Sequence, residues 1–177
     1  CLVGSEMCIR DRCMASTPSY NPNKIIQKPN KEYWDSILEN ELSPLTYRCI
    51  QGLYAPGSTF KMVVAIAGLV HGIIDTNTKH FCSGKIGLGD RLYHCWKNNG
   101  HGSMNVSDAI KESCDVFFYE ISKKIGIDKI AKVAEDFGLG KIYDVPLPNQ
   151  KKGIIPSRDW KRKKYDECIH IHDEKVY

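Results

Sequence analysis

Residues 55–72, APGSTFKMVVAIAGLVHG, decide how this chain is read. Ala55-Pro56-Gly57 form a turn, Ser58 takes the first helical position, and Gly72 stands where a helix C-cap belongs. From Met62 to Val70 the segment is apolar nearly all round, which predicts a helix buried on most sides. Its first turn carries Ser58-Thr59-Phe60-Lys61. Positions three apart on a helix share a face, so the Lys61 ammonium comes within reach of the Ser58 hydroxyl. Unpaired amides and the helix dipole favour an alkoxide or oxyanion at that end. Desolvation against MVVAIAG favours the neutral amine, which can act as a base. A Ser-x-x-Lys tetrad alone means little, but at a helix start it has the form of a serine nucleophile activated by lysine.

Outward from this helix, residues 73–104 read as glycine-punctuated loops with short hairpin strands. Asn105 or Ser107 caps a helix running to about Glu112, a second helix spans 116–125 and ends at Gly126, and a third spans 127–137 and ends at Gly138. Between the first two lies Ser113-Cys114-Asp115, whose serine can relay a proton and hydrogen-bond Lys61. Upstream, residues 14–30 read as a short strand followed by turn-rich polar sequence, 30–42 as a helix with Trp34, Ile37 and Leu38 on one side, and 44–54 as an irregular connector. Nothing repeats and no low-complexity linker divides the chain, so the simplest reading is one mixed α/β (α+β) unit with a helical lobe.

A length of 177 residues and 42% hydrophobic content suit one ordinary domain with a globular core. The net charge is +4, and the dense basic run WKRKKY at 160–165 reads as a solvated face. No aromatic-and-basic module accompanies it, so nucleic acid is not an expected partner. The longest apolar stretch, Met62 to Val70, is far short of the roughly 20 residues of a membrane span, and residues 1–12 lack the apolar centre of a signal peptide. Those residues, CLVGSEMCIRDR, have no periodicity, cap or turn logic; they resemble a translated sequencing adaptor and are set aside as non-native. The domain is therefore drawn over 13–167, and 168–177 is left as an uncertain tail, out of frame by its appearance. His170 and His172 alternate there as strand ligands would, with Asp173 following, but no metal is assigned to them.

ASTPSYNPN (15–23), RCIQGLYAPGSTFKM (48–62), FCSGKIGLGDRLYHCWKNNGHG (81–102) and IKESCDVFFYEISKKIGIDKIAKVAEDFGLG (110–140) together resemble the penicillin-binding protein 2 family. These are class B peptidoglycan D,D-transpeptidases of rod-shape synthesis, and the resemblance runs in order over about 14–164. It implies the serine β-lactamase and D,D-transpeptidase fold in incomplete form: the helical lobe and part of an antiparallel sheet. It implies that Ser58 attacks the penultimate D-alanine carbonyl of a stem peptide and that Lys61 takes its proton. Ser113 would return a proton when the acceptor amine arrives, and Asp115, where asparagine is frequent, would orient Lys61 or the substrate amide. The Ser58 amide would be half of an oxyanion hole. A Lys-Thr-Gly strand downstream and a membrane anchor upstream are expected in the complete protein, and no turnover is expected from these residues alone. The complete protein would meet stem peptides and β-lactams, pair with a membrane glycosyltransferase, and work at the periplasmic face of the inner membrane without a catalytic cofactor. The rivals are a serine β-lactamase, told apart by a penicilloyl adduct lasting seconds rather than hours, and a penicillin-sensing receptor domain, told apart by a neighbouring repressor gene.

Apart from the two ends, the cysteines are Cys13, Cys49, Cys82, Cys95 and Cys114. Cys82, Cys95, His101 and Cys114 have the spacing Cys-x12-Cys-x5-His-x12-Cys. Three thiolates and one imidazole make a closed tetrahedral set, which fits a structural zinc site. Cys114 lies between Ser113 and Asp115; if those two face the cleft, it points into the scaffold, and a metal there would hold the second motif in register with Ser58. Some members of the resembled family are similar in carrying ligands here, with aspartates sometimes replacing cysteines. The alternatives are a Cys82–Cys95 disulfide with Cys114 a small buried hydrophobe, or free thiols, with His94 as a rival imidazole. A zinc site requires the three sulfurs and a His101 nitrogen to lie roughly 3.5–4 Å apart.

Overall fold

The computed structural model describes residues 2–5, 10–26 and 30–173. Within the two segments set aside above, Cys1, residues 6–9 and residues 174–177 lie outside the described residues. The chain forms two compact units, one from Cys1–Tyr54 and Ile142–Lys152, the other from Ala55–Lys141 and Gly153–Tyr177.

In the first unit, β1 (Leu2–Ser5) pairs antiparallel with β2 (Arg10–Met14), with a register irregularity between Val3 and Gly4. No element was expected over residues 1–12; ladder bonds are made by backbone groups and need no side-chain pattern. Within 14–30, where a short strand and then turn-rich sequence were expected, β2 ends at Met14 and the structure places a short helix, α1 (Pro22–Ile26). Asn21 Oδ1 accepts from the Asn23 amide at 3.0 Å, and Pro22, with its fixed φ, suits the first helical position. Helix α2 (Lys31–Leu38) forms within the expected 30–42 but ends four residues early; the Asn30 side chain accepts from the Glu32 and Tyr33 amides, and of its expected apolar side Ile37 is buried while Trp34 and Leu38 are exposed. A one-turn helix α3 (Arg48–Gln51) follows. The returning segment joins through the Lys151 amide, which donates to Ile50 O at 2.9 Å.

The second unit is built on α4 (Lys61–Val70), entered through a 3-10 turn at Gly57–Phe60. Ser58 thus lies one turn before the α-helix proper rather than at its first residue. Gly57 has φ +57°, and Thr59 Oγ1 donates to Pro56 O at 2.7 Å, which closes the tighter turn. Three helices cover α4 and its surroundings: α5 (Val106–Lys111), capped by Asn105 Oδ1; α6 (Asp115–Ile125); and α7 (Ile127–Asp136). Val64, Ala67, Phe117, Ile121 and Ile125 form the middle of the core. Gly68 matters to this packing, because a Cβ there would lie 2.9 Å from Ile74 Cγ1. The expected burial of α4 is partial: Val64, Ala65, Ala67 and Gly68 are buried, while Met62 and Val70 are exposed.

Two ladders frame the loops ahead of α5. Strand β3 (His80–Cys82) pairs with β6 (Gly102–Met104), and β4 (Lys85–Leu88) pairs with β5 (Arg91–His94), both antiparallel. The basic run 160–165 lies in α8 (Arg158–Asp173), a helix the sequence reading did not assign. The Ser157 hydroxyl accepts from the Trp160 amide at 3.1 Å, and Arg158 pairs with Asp128 at 3.2 Å. His170, His172 and Asp173 are on this helix rather than a strand. No helix among the described residues is long and apolar enough to cross a membrane.

Candidate active site

The second unit brings all four residues of the first two motifs together. Lys61 Nζ donates to Asp115 Oδ1 at 2.6 Å, to Ser113 Oγ at 3.0 Å and to Ser113 O at 2.8 Å. Ser113 Oγ in turn donates to Ser58 Oγ at 3.1 Å. Lys61 therefore reaches Ser58 through Ser113. The Lys61 and Asp115 side chains are only 15% and 23% exposed, so their ion pair is shielded from bulk water more than a surface pair would be. The Phe118 ring lies 5.9 Å from Lys61 Nζ, within cation–π range. These groups open onto a cleft of about 340 Å³ lined by Ser58, Phe60, Lys61, Asp115, Phe118 and Tyr119. Burial and the nearby Asp115 carboxylate push the Tyr119 phenol up, which keeps it protonated.

The backbone that presents Ser113 is unusual. Ser113 has φ +51°, in the left-handed region that an L-residue with a side chain rarely adopts. This kink separates α5 from α6 and directs both Ser113 oxygens at Lys61. Cys114 follows as the N-cap of α6, its Sγ accepting from the Phe117 amide at 3.5 Å.

Cys114 is fully buried and points away from the cleft, into a second cluster. One ligand atom from each of Cys82, Cys95, His101 and Cys114 lies within 4.8 Å of all the others. His101 Nδ1 is 3.6 Å from Cys82 Sγ and 3.5 Å from Cys95 Sγ. Cys82, Cys95 and Cys114 are unbridged. His94 is exposed at the end of β5 and is not part of the group. Burial pushes the Cys114 thiol up to about 12. Burial also raises Cys95, but the backbone amides of Lys97, Val116 and Asp115 donate to its sulfur and bring it below its ordinary value.

The catalytic candidates and the thiol cluster thus share one tripeptide, with Ser113 and Asp115 on the cleft side and Cys114 on the scaffold side. Across residues 12–169 the sequence matches the family model for the penicillin-binding protein transpeptidase domain. The chain belongs to this transpeptidase family.

Its relatives agree. The chain is 35% identical over 154 residues to the peptidoglycan D,D-transpeptidase MrdA of Escherichia coli K12, covering 86% of this chain and 24% of that protein. Among solved structures, it is similar to penicillin-binding protein PBP2 of Helicobacter pylori in complex with MreC, with TM-score 0.82 and 35% identity over 86% of this chain and 29% of that one. It is also similar to a chain of a peptidoglycan synthase complex that coordinates polymerization and crosslinking, with TM-score 0.77 and 33% identity over 85% of this chain and 26% of that one. The transpeptidase-domain fold expected from the sequence is therefore the fold found, and the chain spans about a quarter of the length of the E. coli relative.

Sequence reasoning missed two residues of this transpeptidase-family site. Phe118 lies beside Lys61, and the Trp96 amide donates to Asp115 Oδ2 at 3.0 Å. Position 96, adjacent to Cys95, was the only signal for the second, and adjacency does not reveal a bond made 19 residues away.

Proposed function

We propose that the protein to which this chain belongs is a peptidoglycan D,D-transpeptidase that works through a Ser58 acyl-enzyme and is a target of penicillins. The observation that carries the reading is the line of hydrogen bonds from Ser58 Oγ through Ser113 Oγ to Lys61 Nζ, at the edge of an open cleft. With Lys61 uncharged, the same line runs in reverse: Ser58 gives its proton to Ser113 as Ser113 gives its own to Lys61, and the alkoxide attacks the penultimate D-alanine carbonyl. The tetrahedral intermediate then expels the terminal D-alanine, whose amine takes the proton back. The acceptor amine of a neighbouring stem repeats the sequence on the acyl-enzyme and releases Ser58. Asp115 keeps Lys61 beside Ser113 throughout, and the Ser58 amide faces the developing oxyanion.

In the full-length protein, a fluorescent penicillin should label Ser58 alone, and Ser58→Ala should remove the label while leaving the thermal melt unchanged. Label persisting on another serine of that variant would overturn the assignment. Lys61→Met should slow acylation about 10²–10⁴-fold, the usual contribution of a general base.

The thiol cluster fits a structural zinc ion. Bonds of about 2.0–2.3 Å to one metal place ligand atoms roughly 3.5–4 Å apart; the two sulfur–nitrogen distances from His101 to Cys82 and Cys95 lie in that range, and every pair lies within 4.8 Å. Cys82, Cys95, Cys114 and His101 Nδ1 would hold it, leaving no open coordination position, so its contribution is to the scaffold. The amides donating to Cys95 Sγ are the kind of support that a thiolate ligand needs. Elemental analysis of full-length protein should find close to one zinc per chain, and Cys114→Ser should lower both zinc content and penicillin acylation. Protein that is fully active and free of zinc would refute the site.

On this reading the full-length protein sits at the periplasmic face of the inner membrane and assembles with a membrane glycosyltransferase. What supports the assembly is that relatives 33–35% identical to this chain over 26–29% of their own length were solved with MreC and within a peptidoglycan synthase complex.

A further inference from the structure

Trp96 lies where the thiol cluster, the left-handed turn at Ser113 and the carboxylate of Asp115 meet. Its backbone amide donates to Asp115 Oδ2 at 3.0 Å, leaving Oδ1 for Lys61. Its indole Nε1 donates to Glu112 O at 2.9 Å, at the residue before the turn. Its ring lies edge-on to His101, with centroids 5.2 Å apart. Thus one residue bonds the Glu112 carbonyl just before Ser113-Cys114 and the Asp115 carboxylate just after it, and its ring meets that of a member of the buried cluster.

The loop that carries Trp96 has little freedom of its own. The Cys95 amide donates to Gly84 O at 2.8 Å, and a turn closes from the Gly100 amide to Lys97 O at 2.9 Å. Immediately before Trp96, Cys95 is buried in the thiol cluster. The Asp115 side chain is held from two sides, by the Trp96 amide on Oδ2 and by Lys61 on Oδ1. A carboxylate held by a fixed amide on one oxygen presents the other in one direction, and that direction sets where Lys61 Nζ rests relative to Ser113 Oγ.

We propose that Trp96 is a positioning residue for acyl transfer. It fixes the Glu112–Asp115 turn through its indole N–H and aims the Asp115 carboxylate through its amide, so that Lys61 and Ser113 stand in line with Ser58. This rests on the reading of Ser58, Ser113 and Lys61 given above.

The test uses the full-length protein and a fluorescent penicillin, with the non-covalent encounter constant and the acylation rate constant measured separately. Trp96→Phe keeps an aromatic ring and the backbone amide but loses the indole donor. The acylation rate constant is expected to fall about three- to tenfold, as loss of one hydrogen bond allows, with the encounter constant within about twofold of wild type. Combining Trp96→Phe with Ser113→Ala should cost little beyond Ser113→Ala alone, because both act on the same relay. If Trp96→Phe does not fold, 3-benzothienylalanine at position 96 decides: it places sulfur where the indole has its N–H and should reproduce the rate loss. 7-Azatryptophan, which restores the N–H, should return the rate to the wild-type value. Wild-type acylation rates in both donor-free proteins would overturn the proposal, as would a rate loss that 7-azatryptophan leaves unrepaired. A wild-type protein not labelled at Ser58 would instead remove the functional reading, so the two failures are read from different arms.

Discussion

Ser113 carries a side chain where the backbone would accept glycine more readily. A left-handed conformation costs an L-residue of this kind about 1–2 kcal/mol, and it persists here because Lys61 Nζ bonds both Ser113 oxygens and Cys114 is locked in the core. Ser113→Gly should therefore melt no lower than Ser113→Ala, since glycine is at home at φ +51°. Both variants should acylate about 10²-fold more slowly, because both lack the hydroxyl between Lys61 and Ser58. Thermal melts and penicillin acylation rates check the two halves separately; a Gly variant with wild-type acylation would remove Ser113 from the relay. At this scale the sequence was informative where chemistry follows local spacing. Ser58 and Lys61 are three apart, and Ser113 and Asp115 flank a residue that faces the other way. Ser113 as a relay bonded to Lys61 was also read from the sequence; that Lys61 reaches Ser58 through it rather than directly was not, because that depends on contacts 52 and 55 residues distant.

Between β3 and β6 the loops approach one another through bare backbone. A Cβ on Gly84 would lie 2.1 Å from Asn98 O, and one on Gly100 would lie 2.2 Å from Cys82 O, with both glycines at positive φ. This close approach is what brings Cys82 and Cys95 to one point. Gly100→Ala in the full-length protein should cost at least about 2 kcal/mol, combining backbone clash with left-handed strain. Differential scanning calorimetry should register the loss, and a variant melting like wild type would mean the loop can shift without harm. Helices α5, α6 and α7 were legible because their caps are local: Asn105 before α5 and Gly126 between α6 and α7. The 3-10 entry to α4, the helix α1 in place of extended chain and the helix α8 were not. Each turns on a short-range hydrogen bond, such as Asn21 to Asn23 or Ser157 to Trp160, that competes closely with other local choices.

Among the described residues, large apolar side chains remain in water. Met62 is 58% exposed, Val70 70%, Phe81 72% and Leu92 59%. Residues 14–167 produced alone should aggregate, as surfaces of this kind do. Light scattering on the purified fragment checks this, and a soluble monomer with a sharp two-state melt would contradict it. The fold class was legible from the order of motifs and helices, but the division of the chain was not, because no composition change marks the points near 55, 142 and 153. That division bears on the order of assembly. The first unit takes its final piece from residues 142–152, and its Ile50–Lys151 bond closes a loop of about a hundred residues. While the intervening chain is random, that closure is opposed by the entropy of the whole loop. Once residues 55–141 have condensed around α4 and α6, far less wandering chain separates the two ends. A ribosome delivers the first unit's opening residues earliest, yet the bond that completes their unit becomes easier to close once the later-made residues have taken shape.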